Sequence, residues 1–423
     1  MLQIQKIRSD KDFIIKKILE IRNINVADQI NQIYDLDLQK RETQKSLDEF
    51  SSQMNVLSSQ IGTEFKAGNI DKANNLKTTT TTLKDKIKLL KSSFMNLDNS
   101  IIDLLYQIPN IPNEIVLPGK LESDNEVIFS SDLSQIKNKE LLPHWELCEK
   151  YDLIDFELGV KISGAGFPVY KGKGAILQRA LIQFFLNQGN LDGYQELSVP
   201  HLVNESSGYG TGQLPDKEGQ MYHVSVDDLY LIPTAEVPIT NIYRDVILDY
   251  KDLPVKHVGY TPCFRREAGS YGKEVRGLNR LHQFDKVEIV QITNPNESYN
   301  TLDKMVNYIE GLIKKLELPY RKLKLCGGDL GFTSALTYDL ETYSSGQDKW
   351  LEVSSVSNFE TFQSTRLKLR FRNQDREIEL AHTLNGSALA LPRIMASLLE
   401  INQYQDGIKI PKVLRPYTGF DSI

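Results

Sequence analysis

The sequence predicts an α+β chain, in which a long antiparallel helical hairpin precedes an antiparallel sheet with flanking helices. Three observations carry this. Between Leu36 and Ile108 glycine is nearly absent and apolar residues recur every three or four positions, the period of a helix seam. Beyond about Trp145, strand-like runs follow one another without regular helix alternation, the mark of an antiparallel rather than a parallel sheet. Neither G-x-G-x-x-G nor G-x-x-x-x-G-K-[ST] occurs, which argues against a doubly wound or P-loop nucleotide site.

The hairpin comes first. One limb carries Leu47, Phe50, Met54, Leu57, Ile61 and Phe65. The other carries Ala73, Leu76, Leu83, Ile87, Leu90, Phe94, Leu97, Ile101, Leu104 and Ile108, with Thr80 in the vacant slot of the series. Ala67-Gly68-Asn69 supplies the turn, since Gly and Asn tolerate the backbone angles that end a helix. Limbs of roughly 35 to 40 residues reach about 50 to 60 Å, too long to fold back into a compact core. The run Thr78 to Thr82 reads as a locally weakened turn, because β-branched side chains lose rotamer freedom in helices.

From Pro109 to about Pro143 the sequence becomes prolyl and irregular, a boundary. The expected division is residues 1–112, a linker 113–144, and a second domain 145–423. Helices are expected at Ala175 to Asn187, at Tyr299 to Leu316 and from about Leu389. A short strand ends at Pro200, and others cover Tyr230 to Leu231, Val255 to Arg266, Gln283 to Ile292, Asp348 to Val356 and Arg366 to Phe371.

Bulk composition narrows the class. A chain of 423 residues exceeds the usual single domain, and 40% hydrophobic with 25% charged residues is ordinary for a globular protein. Net charge of −6 argues against general nucleic-acid affinity, yet it hides a local excess. Between Lys66 and Lys91 stand seven lysines, among them Lys77, Lys84, Lys88 and Lys91, against Asp71 and Asp85. Such a limb suits a polyanion; an ordinary solvated coiled-coil face is the alternative. Cys148, Cys263 and Cys326 lack disulfide or zinc spacing. With no apolar run of about 18 residues and acidic Asp10 and Asp12 near the start, a cytoplasmic enzyme without a membrane span is expected.

The chemistry concentrates in two runs. Thr261 to Val290 (TPCFRREAGSYGKEVRGLNRLHQFDKVEIV) reads as strand, charged loop and strand, with Arg265-Arg266-Glu267 at the end of the first. Guanidinium is a planar, permanently charged fork matched to phosphate oxygens. His382 to Arg393 (HTLNGSALALPR) leads a small-residue strand into a helix with an arginine near its start, which also suits phosphate.

With Tyr194 to Pro200 (YQELSVP), these runs resemble the three signature motifs of class II aminoacyl-tRNA synthetases. LIPTAEVPITN, YGTGQLP, CFRREAGS, GLNRLHQFDKVE, LEVSSVSN, HTLNGSALALPR and IPKVLRPY, together with the helical hairpin, narrow the resemblance to bacterial-type seryl-tRNA synthetases over essentially the whole chain.

That resemblance implies roles. Arg265 holds the α-phosphate of ATP, Arg393 the γ-phosphate end, and Arg280 the phosphate tail. Phe284 stacks on adenine with Arg393 on its other face, and Glu267 meets the adenine amino group. Glu352 and Ser355 hold Mg²⁺, with Val353 and Ser354 completing the ATP-binding run and Arg266 contributing backbone. For L-serine, Thr234 and Glu236 receive the amino group and Glu288 and Ser387 the hydroxyl and carboxylate region, with Ala235 and Asn385 also in the serine-binding set. Lys77, Lys84, Lys88 and Lys91 face tRNA(Ser), or tRNA(Sec) where that tRNA exists, in a homodimer. His282, His382 and Cys263 read as structural. The family commonly has cysteines and paired arginines where this chain has Ser354 to Phe359 and Phe362 to Arg366, but no residue cast in catalysis is lost. Two other readings are a ligase of the same fold that loads a carrier protein, and a non-catalytic coiled-coil scaffold.

Overall fold

The computed structural model describes residues 1–134, 136, 141–267 and 276–423. Its internal contacts divide the chain into two compact units, one made of residues 2–19 and 24–109, the other of residues 1, 20–23 and 110–423.

The first unit is helical. Helix α1 spans Ile4–Arg22, α2 Ala27–Lys66 and α3 Ile70–Leu105. Helices α2 and α3 pack along one another through the expected seam, with Ala73, Thr80 and Leu83 buried in it. The first limb starts earlier than its periodicity indicated, because Ile30 and Ile33 are buried near the start of α2. Arg8 on α1 makes two bonds of 2.7 Å to the buried Asp37 on α2, and this pairing holds the Asp37 carboxyl below its usual range. The threonine run does not interrupt the helix. It lies inside continuous α3, where Thr78, Thr79, Thr81 and Thr82 donate their hydroxyls to carbonyls four residues back and Thr80 to the carbonyl of Lys77.

The second unit is built on an eight-stranded sheet. In chain order its strands are β1 Glu126–Ser130, β2 Gln195–Glu196, β3 Val255–Phe264, β4 Gln283–Thr293, β5 Tyr320–Lys324, β6 Leu336–Ser344, β7 Lys349–Glu360 and β8 His382–Ala390. Their spatial order is β1-β5-β6-β7-β8-β4-β3-β2. Every neighbouring pair is antiparallel except β2 with β3. Strand β1 arises in the segment read as a linker, and pairs along β5. Helices α4 His144–Lys150, α5 Gly172–Leu191, α6 Glu236–Asn241, α7 Ser298–Lys315, α8 Phe362–Leu367 and α9 Leu391–Ile401 flank the sheet. Leu177, Leu181 and Phe185 of α5, Met305 and Ile309 of α7, and Ile394 and Leu398 of α9 meet the sheet's Val287, Ile289 and Val356 in the main core.

Three strand expectations change: the short strand read as ending at Pro200 covers only Gln195–Glu196. The first strand of the arginine run stops at Phe264, so Arg265-Arg266-Glu267 lies just beyond it. There the Arg266 N–H turns to the carbonyl of Gln220, and Glu267 takes a left-handed φ of 47°. The supposed strand Arg366 to Phe371 begins as the end of α8; Lys368 turns left-handed at φ 52°, and only Arg370–Arg372 is extended. All three cysteines are free and buried, and burial, with Glu400 nearby, pushes the Cys148 thiol up to about 12. No helix among the described residues is long and apolar enough to cross a membrane.

Candidate active site

Register and pleat assemble the site. Along β4, alternation sends Phe284, Lys286 and Glu288 to one face. Glu288 stands opposite Gly259 of β3 on one side and Ser387 of β8 on the other. Strand β8 runs directly into α9, so Arg393 follows six residues after Ser387 and reaches the same face.

These elements enclose a cavity of about 200 Å³ lined in part by Arg265, Phe284, Lys286, Glu352, Ser387 and Arg393, with Glu267, Arg280 and Val353 also on its wall. The Arg265 guanidinium lies over the Phe284 ring, 5.3 Å from its centre. Arg393 donates through Nη1 to the Glu352 carbonyl at 2.8 Å and through Nε to the Asn279 carbonyl at 3.2 Å. Glu267 pairs with Arg280 at 3.1 Å.

A second cavity of about 580 Å³ shares Asn279, Arg280, Glu352 and Arg393 with the first. Its other wall carries Asp339, Glu341 and Ser355. Burial and the Glu352 charge push the Asp339 carboxyl well above its usual range, and its Oδ1 is shielded without a hydrogen-bond partner. Among the described residues no three acidic, histidine or cysteine side chains gather to hold a metal. A carboxylate and a hydroxyl opening on a polar cavity nonetheless fit Mg²⁺, which takes few protein oxygens and keeps its waters.

Behind the smaller cavity lies a buried acidic pair. Lys286 Nζ reaches Glu288 Oε2 at 2.5 Å. The Thr234 hydroxyl donates to Glu288 Oε2 at 3.2 Å, and the Asn385 amide to Oε1 at 3.2 Å. The Gln363 amide donates to Glu236 Oε1 at 2.6 Å and is itself oriented by the Thr383 hydroxyl at 2.7 Å. Burial, then the neighbouring Glu288, raises the Glu236 carboxyl to about 7, while Gln363, Lys286 and Arg265 pull the other way. Two acids sharing one lysine leave room for a second cation, as an amino acid's ammonium would supply.

Some expected residues stand apart. Arg266 lines neither cavity and bonds through its backbone. The buried Ser354 donates its hydroxyl to the Ser387 carbonyl at 2.6 Å, bracing β7 against β8. Ala235 is fully buried. His282 meets the Tyr222 hydroxyl at 2.7 Å, and His382 the Ser298 hydroxyl at 2.8 Å, in packed surroundings. The rest of the charged loop, residues 268–275, lies outside the described residues. Sequence reasoning missed Lys286, although the alternation Phe284, Lys286, Glu288 could have found it. It also missed Asn279 and Gln363, which no local pattern marks. In the helical unit Lys77, Lys84, Lys88 and Lys91 are exposed on α3, and Lys77 sits 4.5 Å from the centre of the Phe65 ring.

Comparison with known proteins agrees with this chemistry. Residues 1–112 match the family model for the seryl-tRNA synthetase N-terminal domain, and residues 222–402 that for the class II tRNA synthetase core domain (G, H, P, S and T). The chain is 47% identical to a serine--tRNA ligase of Salinibacter ruber, covering 100% of this chain and 99% of the relative. It is 44% identical to that of Methylacidiphilum infernorum, with 99% of each covered. Among solved structures, the seryl-tRNA synthetase of Pyrococcus horikoshii complexed with ATP superposes with a TM-score of 0.92 at 33% identity, over 100% of this chain and 99% of that one. A prolyl-tRNA synthetase of Giardia lamblia, at 16% identity and a TM-score of 0.57, shares the fold alone.

Proposed function

The chain belongs to the seryl-tRNA synthetase family of class II aminoacyl-tRNA synthetases, and on that premise we propose how its residues divide the ATP-dependent attachment of serine to tRNA. The observation that carries the assignment is one cavity bearing Arg265, Phe284, Glu352 and Arg393, backed by the Glu236–Glu288 cluster. ATP lies in the cavity with adenine on Phe284, displacing Arg265 from the ring toward the α-phosphate, and Arg393 clamps the far phosphates. The serine carboxylate attacks the α-phosphorus and pyrophosphate leaves; an ionised carboxylate needs no general base. Arg265 stabilises the charge that develops, so catalysis is positioning plus electrostatics.

Glu236 and Thr234 receive the serine ammonium, while Glu288, Asn385 and Ser387 meet its hydroxyl and carboxylate. A site that hydrogen-bonds a hydroxyl rejects alanine strongly. Glu352 and Ser355 hold Mg²⁺, which neutralises phosphate charge when bound. In the second step a hydroxyl of the terminal adenosine of tRNA attacks the seryl carbonyl and AMP leaves. Lys77, Lys84, Lys88 and Lys91 grip the long variable arm of tRNA(Ser), and of tRNA(Sec) where it exists, chiefly through backbone and shape.

Residues 1–112 then serve tRNA binding and 145–423 the chemistry, with 113–144 joining them and adding strand β1, in a cytoplasmic homodimer. Serine-dependent ATP/pyrophosphate exchange, followed by charging of tRNA with and without its variable arm, tests this. Absence of exchange would sink it; exchange without charging would favour the carrier-protein ligase.

A further inference from the structure

A fully buried pair, His144 and Glu400, lies outside the residues given roles above, and its bonds run to the ATP cavity. His144 Nδ1 meets Glu400 Oε1 at 2.8 Å, and the His144 backbone N–H donates to the same oxygen at 2.9 Å. Ser344 Oγ at 2.5 Å and the Gly346 N–H at 3.0 Å donate to Glu400 Oε2. Four donors therefore surround one buried carboxylate. Burial alone pushes that carboxyl up, and these bonds more than reverse it.

The other ring nitrogen is what matters. His144 Nε2 accepts the backbone N–H of Leu278 at 2.9 Å, so the ring proton belongs on Nδ1, facing Glu400. The same stretch is held at two more points and passes close to the ring at a third. Arg276 lies over the Trp145 ring at 4.6 Å. At Gly277, with φ 66°, an added Cβ would come within 2.3 Å of His144 Nε2. Asn279 Nδ2 donates to Gln347 Oε1 at 2.8 Å, and Gln347 returns to Ser344 Oγ at 2.8 Å. Leu278, Asn279 and Arg280 line the cavity, and the Asn279 carbonyl receives Arg393 Nε.

The geometry points to His144 as a positioning residue for the ATP site: through its bond to the Leu278 N–H it fixes the backbone that presents the Asn279 carbonyl to Arg393. This deepens the ATP-site reading and rests on it. Glu400 acts one step further back by setting which ring nitrogen carries the proton. His144 touches no substrate, and its effect falls on ATP rather than on serine.

Two amide substitutions separate the ring's two bonds. His144→Gln keeps an acceptor near the Nε2 position for the Leu278 N–H and gives up the donor to Glu400. His144→Asn keeps a donor near the Nδ1 position and gives up the acceptor. Leaving a buried N–H unpaired should raise the KM for ATP about tenfold in exchange, so His144→Asn is the damaged variant and His144→Gln changes it less than about threefold. The serine KM stays level in both. Equal ATP defects in the two variants, or none in either, overturn the proposal.

Arg393→Ala, measured alongside, distinguishes the failures. An unaltered ATP KM there sinks the ATP-site reading itself, whereas a large defect with equal His144 variants sinks the tether alone. If a His144 variant does not fold, hydrogen exchange on the unaltered protein decides. The Leu278 amide should exchange slowly with or without ATP, and protection that arises only with ATP overturns the proposal.

Discussion

Gln363 donates its side-chain amide to Glu236 at 2.6 Å across 127 residues of sequence, and the carboxyl it holds titrates near 7. The raised value has two opposite consequences. For stability, a carboxyl raised from 4.5 to about 7 favours the folded state fully below pH 4.5, and that advantage is lost as pH rises through 7. Glu236→Gln should therefore stabilise the ligand-free protein at pH 8, on the order of 3 kcal/mol, and leave it unchanged near pH 4. Thermal unfolding at the two pH values checks this.

For binding, the serine ammonium needs the ionised form. The KM for serine should rise about fivefold from pH 7 to pH 6, as the ionised fraction falls. Glu236→Gln should bind serine weakly at both, with that pH dependence gone. A serine KM flat across this range in the unaltered enzyme would remove Glu236 from the ammonium site.

Arg265 sits over Phe284 in the cavity proposed for ATP, so shape as well as charge should count there. Arg265→Lys retains the cation and loses the planar fork. Pyrophosphate exchange should fall about 100-fold in kcat, with a smaller change in the serine KM. Steady-state exchange kinetics report both.

Lys286 and Glu288 are buried together at 2.5 Å. Lys286→Met strands the carboxylate and should cost about 3 kcal/mol, read as a fall in the midpoint of urea unfolding. Adding Glu288→Leu should recover most of that stability while leaving serine activation absent. A double variant no more stable than the single one contradicts this account.

On α3, replacing Lys84, Lys88 and Lys91 with alanine should leave exchange intact. Charging of tRNA should weaken about 10- to 100-fold in kcat/KM, and its log–log salt slope should shrink by about two. Equal losses in exchange and charging would place the lysines' effect elsewhere.

Much of the site is legible in the sequence where a strand carries it. Alternation puts Phe284 and Glu288 on one face, and Arg393 follows from a strand running into a helix. The hairpin is legible too, Thr80 included, since a seam repeats over many turns. What stayed hidden depends on distant partners: Gln363 beneath Glu236, the Asn279 carbonyl under Arg393, His144 beneath Leu278. No periodicity links such residues. The threonine run stays helical because propensity is a weak prior that packing overrides, and Thr80 and Leu83 are buried in the seam. The end of the strand at Phe264 is likewise set by where the Arg266 N–H finds its acceptor, at Gln220.

The three buried thiols make the protein chemically quiet on its outside. Thiolate is the form that reacts, and a Cys148 thiol held near 12 supplies almost none at neutral pH. A cysteine introduced at an exposed position such as Lys84 would then be the preferred target of a maleimide dye in the otherwise native chain. Labelled protein of that kind could follow the arrival of tRNA by fluorescence without first stripping the native cysteines.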